Sequence, residues 1–94
     1  MIIFPSSKFQ RSLKKLLKKS PELKDKFDVV LDLMSVDPFS PSLKSHKLSG
    51  KLKDSWSCSV AYDCRITFCF EQDPETESDI IILLDIGSHD EVYD

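Results

Sequence analysis

The spacing of the apolar residues changes once along this chain, near residue 55, and that change constrains the fold more than any other feature. Over residues 9–17 and 23–34 the apolar positions recur at helical spacing, which places them on one stripe of each helix. Over residues 56–60 and 66–70 they alternate with polar positions, as in half-buried strands. Helices followed by strands predict an α+β fold with the helices packed on one face of a sheet.

Capping signals mark where the two helices begin. Ser7 and Gln10 have the spacing of a capping box, which predicts a helix from about residue 8. The pair Ser20 and Pro21 predicts a second helix, with a hydroxyl cap and a proline in the first turn. Because a proline disfavours helical geometry in the residue before it, this second helix should end before Pro38. Together they predict an antiparallel helical hairpin.

The strands are predicted on both sides of this hairpin. A short apolar strand at residues 2–4 precedes it, and strands at 56–61, 65–70 and 80–84 follow it as an antiparallel meander. The run at 80–84 is continuously apolar, which is typical of a strand buried on both faces. Residues 37–54 read as an irregular basic connector. The predicted architecture is a two-helix hairpin packed on a small, mainly antiparallel, twisted sheet.

Length and composition predict a single domain over residues 1–94. A chain of 94 residues with 40% apolar residues can bury one core but is too short for two domains. No stretch approaches the roughly 18 uninterrupted apolar residues of a membrane span. The first residues also lack the pattern of a signal peptide. A cytoplasmic protein that does not associate with a membrane is therefore expected.

The three cysteines, Cys58, Cys64 and Cys69, lack the paired CxxC spacing that is usual in zinc and redox sites. They are predicted to be reduced thiols, so neither a metal nor another cofactor is expected. A metal site that combines these cysteines with a histidine is the alternative.

The charges are divided unequally between the two halves of the chain. Residues 1–53 carry 12 Lys/Arg and 5 Asp/Glu, a net charge of +7, whereas residues 54–94 carry 1 and 11, a net charge of −10. A basic surface of this kind suits binding to the phosphates of a nucleic acid. It is equally compatible with an ordinary solvated helix face, and charge alone leaves both open.

Five polar residues are candidates for a site. Arg65, the only cation of the acidic half, should point away from the helices by strand alternation, either to pair with Asp63 or to hold a phosphate. His46 and His89 lie outside the apolar stripes, and an imidazole with a pKa of about 6.5 can exchange protons near neutral pH. Each could instead only bond a backbone carbonyl. Tyr93 lies one helical turn after His89 and could stack on a base or pack the terminus.

The ordered motifs HKLSG (46–50), YDCRITF (62–68) and IGSHDEVY (86–93), after a hairpin containing KKLLKKSPELK (14–24), resemble the RelE superfamily of bacterial toxins. The similarity extends over nearly the full length and is greatest to the YafQ branch of mRNA interferases. Toxins of that branch have a leucine-and-glycine loop opened by histidine, an aspartate before the next strand, and a GTH-type ending followed by an aromatic residue. The resemblance also implies the RelE-like microbial ribonuclease fold.

The resemblance implies an activity and a set of partners. The expected reaction is cleavage of mRNA in the ribosomal A site, in which the 2′-hydroxyl attacks the adjacent phosphate without a metal ion or other cofactor. The expected partners are the ribosome, mRNA and a cognate antitoxin whose carboxyl-terminal segment folds onto the domain and covers or distorts the site.

The resemblance also assigns roles to the candidate residues. His46 would be a general base or orient the phosphate, and Asp63 would fix a histidine or assist removal of the 2′-hydroxyl proton. Arg65 would stabilise the phosphorane-like transition state. His89 would protonate the leaving 5′-oxygen, and Tyr93 would orient a base or the phosphate. The residues expected to contact RNA or the ribosome are Lys14, Lys15, Lys18, Lys19, Lys47, Lys51 and Lys53.

One position departs from the YafQ pattern, because Ser59 stands where these toxins carry a further histidine on the strand before the aspartate. A hydroxyl cannot act unaided as a base near neutral pH. The missing histidine keeps open an inactive module that only binds an antitoxin. A second rival function is a ParE-type toxin, which shares the fold but inhibits DNA gyrase by protein contact. His89 and Asp63 count against the gyrase inhibitor.

Overall fold

The structure is a computed structural model that describes residues 1–49 and 54–93. Its elements, in chain order, are β1 (Ile2–Pro5), α1 (Ser7–Lys19), α2 (Leu23–Val36), a 3₁₀ turn (Pro41–Leu43), β2 (His46–Lys47), β3 (Trp56–Ala61), β4 (Cys64–Gln72), β5 (Asp79–Gly87) and α3 (His89–Tyr93). The strands form one sheet in the order β1-β5-β4-β3-β2. The pair β1–β5 is parallel and the other pairs are antiparallel, so the predicted α+β fold with a mainly antiparallel sheet is confirmed.

The alternation predicted for β4 is present. Ile66 and Phe68 have no exposed surface and belong to the core. On the opposite face of the strand, Arg65 and Cys69 are half-buried, and Thr67 between them is 2% exposed. The helices supply the other side of this core, with Phe9 of α1 and Met34 of α2 almost completely buried. The face of β4 that carries Arg65 is therefore turned away from α1 and α2.

Helix α1 begins one residue earlier than the capping prediction placed it. Ser6, not Ser7, is the N-cap, and its Oγ accepts a hydrogen bond from the backbone N–H of Phe9 at 3.1 Å. Gln10 does not complete a capping box, because its side chain donates to the carbonyl of Pro5. Ser6 is preferred because its backbone N–H also bonds the carbonyl of Leu83 on β5, which fixes the chain where strand becomes helix.

Helix α2 begins two residues later than Pro21. Ser20 ends α1 instead, donating its N–H to the carbonyl of Leu16 at 2.7 Å. The N–H groups of Leu23 and Lys24 then bond carbonyls three residues back, as in a tight turn. The predicted end before Pro38 is confirmed. None of the helices in the described ranges is long and apolar enough to cross a membrane.

The connector at residues 37–54 contains more regular structure than predicted. Leu43, in the 3₁₀ turn, is 1% exposed and joins the core, and Ser45 Oγ donates to the carbonyl of Pro38 at 2.7 Å. These contacts bring β2 alongside β3, where His46 pairs with Ser57. The interpretation as a wholly irregular segment was therefore wrong, because burial of Leu43 organises the chain around it. Residues 50–53 of the connector lie outside the described residues.

Strand β5 contains the predicted apolar run, but only one face of the run is fully buried. Ile81 and Leu83 are buried in the core, as expected. Ile80, Ile82 and Leu84, on alternate positions, are half-buried. The expectation of burial on both faces was wrong, since the described chain covers the outer face of this strand only in part.

Truncation of the core side of α2 tests this packing. Met34→Ala should lower the free energy of unfolding by about 2–5 kcal/mol, because the lost side chain leaves a cavity. Val36→Ala on the same helix should change it by less than about 0.5 kcal/mol, because Val36 is 86% exposed. Urea denaturation followed by the fluorescence of Trp56 measures both variants. Equal losses would contradict the placement of the core.

Candidate active site

The face of the sheet that is turned away from α1 and α2 is called the outer face. Two rows of paired residues cross it. In one row, Arg65 of β4 lies between Ser59 of β3 and Gly87 of β5. In the neighbouring row, Ser57 of β3 lies beside His46 of β2. Residues directly opposite each other on adjacent strands share a face of the sheet. The sheet therefore carries the candidate residues His46 and Arg65 on one side.

An open cavity of about 670 Å³ surrounds Arg65 on this face. The residues that line it are Lys44, Ser59, Ala61, Tyr62, Asp63, Arg65 and His89. The ion pair between Arg65 and Asp63 that the sequence left open does not form. Among the described residues, no carboxylate oxygen lies within 4.0 Å of the Arg65 guanidinium. The cavity thus holds a guanidinium, a carboxylate and an imidazole, with Arg65 not neutralised by its neighbour.

Asp63 is held in the turn between β3 and β4 and reaches α3. Its backbone has a φ of 52°, a left-handed conformation that aspartate tolerates better than most residues. Its Oδ1 accepts a hydrogen bond from the backbone N–H of His89 at 3.1 Å. This carboxylate satisfies an N–H at the first residue of α3 and so ties the two parts of the site together.

Ser88 and Glu91 have the sequence spacing of a capping box, and they form one at the start of α3. The N–H of Ser88 donates to Glu91 Oε1 at 2.9 Å, and the N–H of Glu91 donates to Ser88 Oγ at 3.2 Å. Gly87 leaves room for this exchange, because a Cβ there would lie 3.1 Å from Glu91 Oε1. Hydrogen bonds from the backbone and side chain of Ser88 lower the pKa of Glu91. The single helical turn of α3 therefore has a local cause.

His89 and Tyr93 lie on the same side of α3, as their spacing predicted. Their ring centroids are 4.4 Å apart, with the rings nearly perpendicular. The imidazole Nδ1 of His89 also lies 3.7 Å from Asp90 Oδ1. The Tyr93 hydroxyl forms a hydrogen bond with Ser57 Oγ on the sheet. Tyr93 is therefore fixed to the outer face, with its ring against the imidazole.

His46 shares the outer face but does not line the cavity around Arg65. It is exposed, and its Nδ1 lies 3.3 Å from the carbonyl of Lys44. It belongs to β2, two strands from Arg65, a lateral separation of roughly 10 Å. The structure thus brings together Asp63, Arg65, His89 and Tyr93, and places His46 at the edge of the same face.

The lysines predicted to contact RNA have different surroundings. Lys15 and Lys19 of α1 line a groove that also includes Asp63 and Glu91 and adjoins the cavity around Arg65. Lys47 pairs with Trp56, which places it on the opposite face of the sheet from Arg65. The other two lysines of the α1 group, Lys14 and Lys18, are exposed, and Lys51 and Lys53 lie outside the described residues.

Sequence reasoning missed three residues that belong to this region. Lys44 lines the cavity, and its left-handed backbone, with a φ of 51°, turns the chain into β2. Tyr62 is fully exposed and borders both the cavity and the neighbouring groove. An aromatic residue directly before Asp63, between two predicted strands, was a usable signal in the sequence. Ser57 is completely buried and bonds Tyr93, and no local pattern distinguishes it from the other serines.

The three cysteines are unpaired, as predicted. Burial raises the pKa of the Cys58 thiol to about 12 and also raises the pKa values of Cys64 and Cys69. Such thiols resist the deprotonation that metal binding and nucleophilic attack require. Within residues 1–49 and 54–93, no group of three or more histidine, cysteine, aspartate or glutamate residues is placed to hold a metal ion.

Comparison with known proteins identifies the family. Residues 1–94 match the family described as "Bacterial toxin of type II toxin-antitoxin system, YafQ". No curated protein sequence matches significantly. Among solved structures, a metal-bound toxin from Helicobacter pylori is 32% identical, with a TM-score of 0.73 and 99% of each chain covered.

Two solved Escherichia coli structures share the fold. YafQ from strain BL21(DE3) is 17% identical, with a TM-score of 0.78, and the alignment covers 98% of this chain and 97% of that one. A DinJ-YafQ complex has 17% identity, a TM-score of 0.76 and the same coverage. The fold is thus that of small α+β bacterial toxins. The chain belongs to the YafQ family of toxins of type II toxin-antitoxin systems, which confirms the resemblance read from its motifs.

Removal of the Ser88 hydroxyl tests the cap of α3. Ser88→Ala should raise the pKa of Glu91 towards its ordinary value of 4.5, since one of its hydrogen-bonding groups is lost. Because the folded pKa is lowered, the cap contributes stability above about pH 4.5 and loses it as the pH falls through the folded value. An NMR titration of the Glu91 carboxyl carbon measures the shift, with Ser42→Ala as the control. An unchanged titration in Ser88→Ala would contradict the cap.

Proposed function

We propose that this protein is a ribosome-dependent mRNA endoribonuclease, the toxin of a toxin-antitoxin pair, which inhibits translation in the cytoplasm. The observation that carries the proposal is the meeting of Arg65, Asp63 and His89 in one open cavity on the outer face of the sheet. Cationic and proton-transferring groups in one cavity suit transfer of a phosphoryl group between two oxygens of RNA.

The proposed reaction uses the 2′-hydroxyl of RNA as its nucleophile. The 2′-oxygen loses its proton and forms a bond to the adjacent phosphorus, and the bond from phosphorus to the 5′-oxygen breaks. The products are a 2′,3′-cyclic phosphate and a 5′-hydroxyl. The reaction needs a base for the first proton, a cation for the charge on the phosphorane-like transition state, and an acid for the leaving oxygen.

Arg65 is the proposed cation. Its guanidinium opens into the cavity, and its planar set of donors can bond two phosphate oxygens at once. Because β4 is a central strand, its backbone holds the Cα of Arg65 rigidly relative to both neighbouring strands. A fixed cation of this kind stabilises developing negative charge without reorganising during the reaction.

His89 is the proposed acid. Its Nδ1 faces Asp90 at 3.7 Å, which leaves Nε2 to donate a proton to the 5′-oxygen. Asp63 accepts the backbone N–H of His89, and this bond supports the positional role for Asp63 over direct proton removal. Tyr93, against the imidazole, limits the orientations that the ring can adopt.

His46 is the proposed base. In a neutral imidazole, donation from Nδ1 to the carbonyl of Lys44 leaves the lone pair on Nε2, where it can accept the 2′-hydroxyl proton. Ser59, opposite Arg65, offers only a hydroxyl where a histidine would otherwise stand. The 2′-hydroxyl proton is therefore proposed to pass to His46 on β2, at the edge of the same face.

The basic face of α1 is the proposed docking surface for the ribosome. Lys15 and Lys19 line the groove that adjoins the cavity, so phosphates bound there would lie next to the reacting RNA. The exposed ring of Tyr62, at the border of groove and cavity, is available to stack on a base. The proposed third partner is a cognate antitoxin, as expected for a toxin whose structural relatives include a DinJ-YafQ complex.

Substitution of His89 tests the nuclease directly. In cells without the antitoxin, the wild type should arrest growth and cut a translated reporter message, as detected by primer extension. His89→Ala should reduce cutting by about 10²–10⁴-fold, the usual contribution of a general acid. A reporter without a start codon is the control and should remain intact.

Other outcomes of this experiment would contradict the nuclease. Growth arrest with an intact message would favour inhibition of a protein such as DNA gyrase. No arrest by the wild type would favour a module that binds an antitoxin without turnover.

Substitution of Arg65 tests the electrostatic role. Arg65→Ala should lower the single-turnover cleavage rate on programmed ribosomes by about 10²–10³-fold, because one preorganised donor group to the transition state is lost. Arg65→Lys should recover part of the rate, since it keeps the charge but not the paired donors. The matched control is Lys26→Ala on the exposed surface of α2, away from the proposed docking surface, which should stay within about twofold of the wild type. Full activity of Arg65→Ala would refute the proposed role.

A further inference from the structure

We infer that Ser57 is a positioning residue for His89, acting through Tyr93. The inference rests on the proposed function, in which His89 donates the proton to the leaving oxygen. Ser57 does not line the cavity around Arg65, so its effect must be indirect. It belongs to the neighbouring row of the outer face, beside His46.

Helix α3 needs anchors because it is too short to be stable alone. It contains five residues, from His89 to Tyr93, and isolated helices of this length do not persist in water. The capping box of Ser88 and Glu91 satisfies its first turn but contains no bond to another part of the sheet. The direction of α3 over the sheet must therefore be set by tertiary contacts.

The structure provides one such anchor at each end of α3. At the first residue, the backbone N–H of His89 bonds the carboxylate of Asp63 at 3.1 Å. At the last, the hydroxyl of Tyr93 bonds Ser57 Oγ, 36 residues away in the sequence. Since α3 also packs on β4 and β5, these two bonds fix both its position and its rotation about its axis.

The anchor at Tyr93 is transmitted to the imidazole by ring contact. The Tyr93 ring meets the His89 ring edge to face, with centroids 4.4 Å apart. If the hydroxyl of Tyr93 lost its partner, this ring could rotate about its side-chain torsions. The imidazole of His89 would then lose a packing contact that restricts its orientation. The acid would then spend less time aligned with the leaving oxygen, and small misalignments of a catalytic group are costly.

Burial makes the Ser57 hydroxyl a firm anchor. Ser57 is 0% exposed, so water does not replace a lost partner at its surface. A buried hydroxyl needs a hydrogen bond, and Tyr93 supplies it. Neighbouring Thr67, paired with Ser57 and 2% exposed, forms no hydrogen bond with a candidate site residue in the described ranges. Thr67 therefore provides a matched control for loss of a buried hydroxyl.

The kinetic test compares Ser57→Ala, Tyr93→Phe and the double variant in single-turnover cleavage on programmed ribosomes. Each single variant should lower the maximal rate by about tenfold or more and leave ribosome affinity unchanged, because the same bond is lost in both. The double variant should be no slower than the slower single variant, since only one bond connects the two residues. Thr67→Val should stay within about twofold of the wild type.

An NMR measurement tests the same inference without relying on activity. In the wild type, the ring of Tyr93 should shift the imidazole proton resonances of His89, and Ser57→Ala should move them towards those of an exposed histidine. Thr67→Val should leave them in place. Unchanged imidazole resonances in Ser57→Ala, or additive kinetic losses in the double variant, would overturn the inference. If the wild type cuts no RNA, the proposed function fails, and the resonances alone decide whether Ser57 positions His89.

Discussion

Burial of one face of β4 is the constraint on which the rest of the site depends. Ile66 and Phe68 are inserted completely into the core, and the strand alternation then requires Arg65 to point outward. Because β4 lies between β3 and β5, its ladder hydrogen bonds also fix Ser59 and Gly87 on either side of Arg65. The energy of the core thereby holds a charged group in a defined place, although that group takes no part in the core itself.

Helix α3 shows how a small protein positions an imidazole with few residues. Its capping box is local, and the bonds to Asp63 and Ser57 come from distant parts of the chain. Five residues cannot maintain a helix by themselves. The helix is therefore stabilised largely by the hydrogen bonds at its two ends, to Asp63 and to Ser57. The same construction makes the position of the imidazole dependent on individual bonds.

The two halves of the chain divide the proposed work between docking and chemistry. The basic residues of α1 lie along the groove, and the acidic half carries Arg65 with His89 on the sheet. An acidic half would repel RNA if it acted alone. The fold removes this conflict, since the groove places Lys15 and Lys19 near the acidic groups Asp63 and Glu91. The unequal charges along the sequence thus become adjacent surfaces in space.

The sequence by itself determined the features whose energetics are local. Hydrophobic periodicity gave the order of helices and strands and the outward direction of Arg65, and the spacing of Ser88 and Glu91 gave the start of α3. Tertiary structure decided the rest: which serine caps α1, that burial of Leu43 creates β2, and that Ser57 bonds Tyr93. Capping and alternation depend on neighbours within a few residues. These other contacts join segments far apart in the chain, so their energies exist only once the sheet has formed.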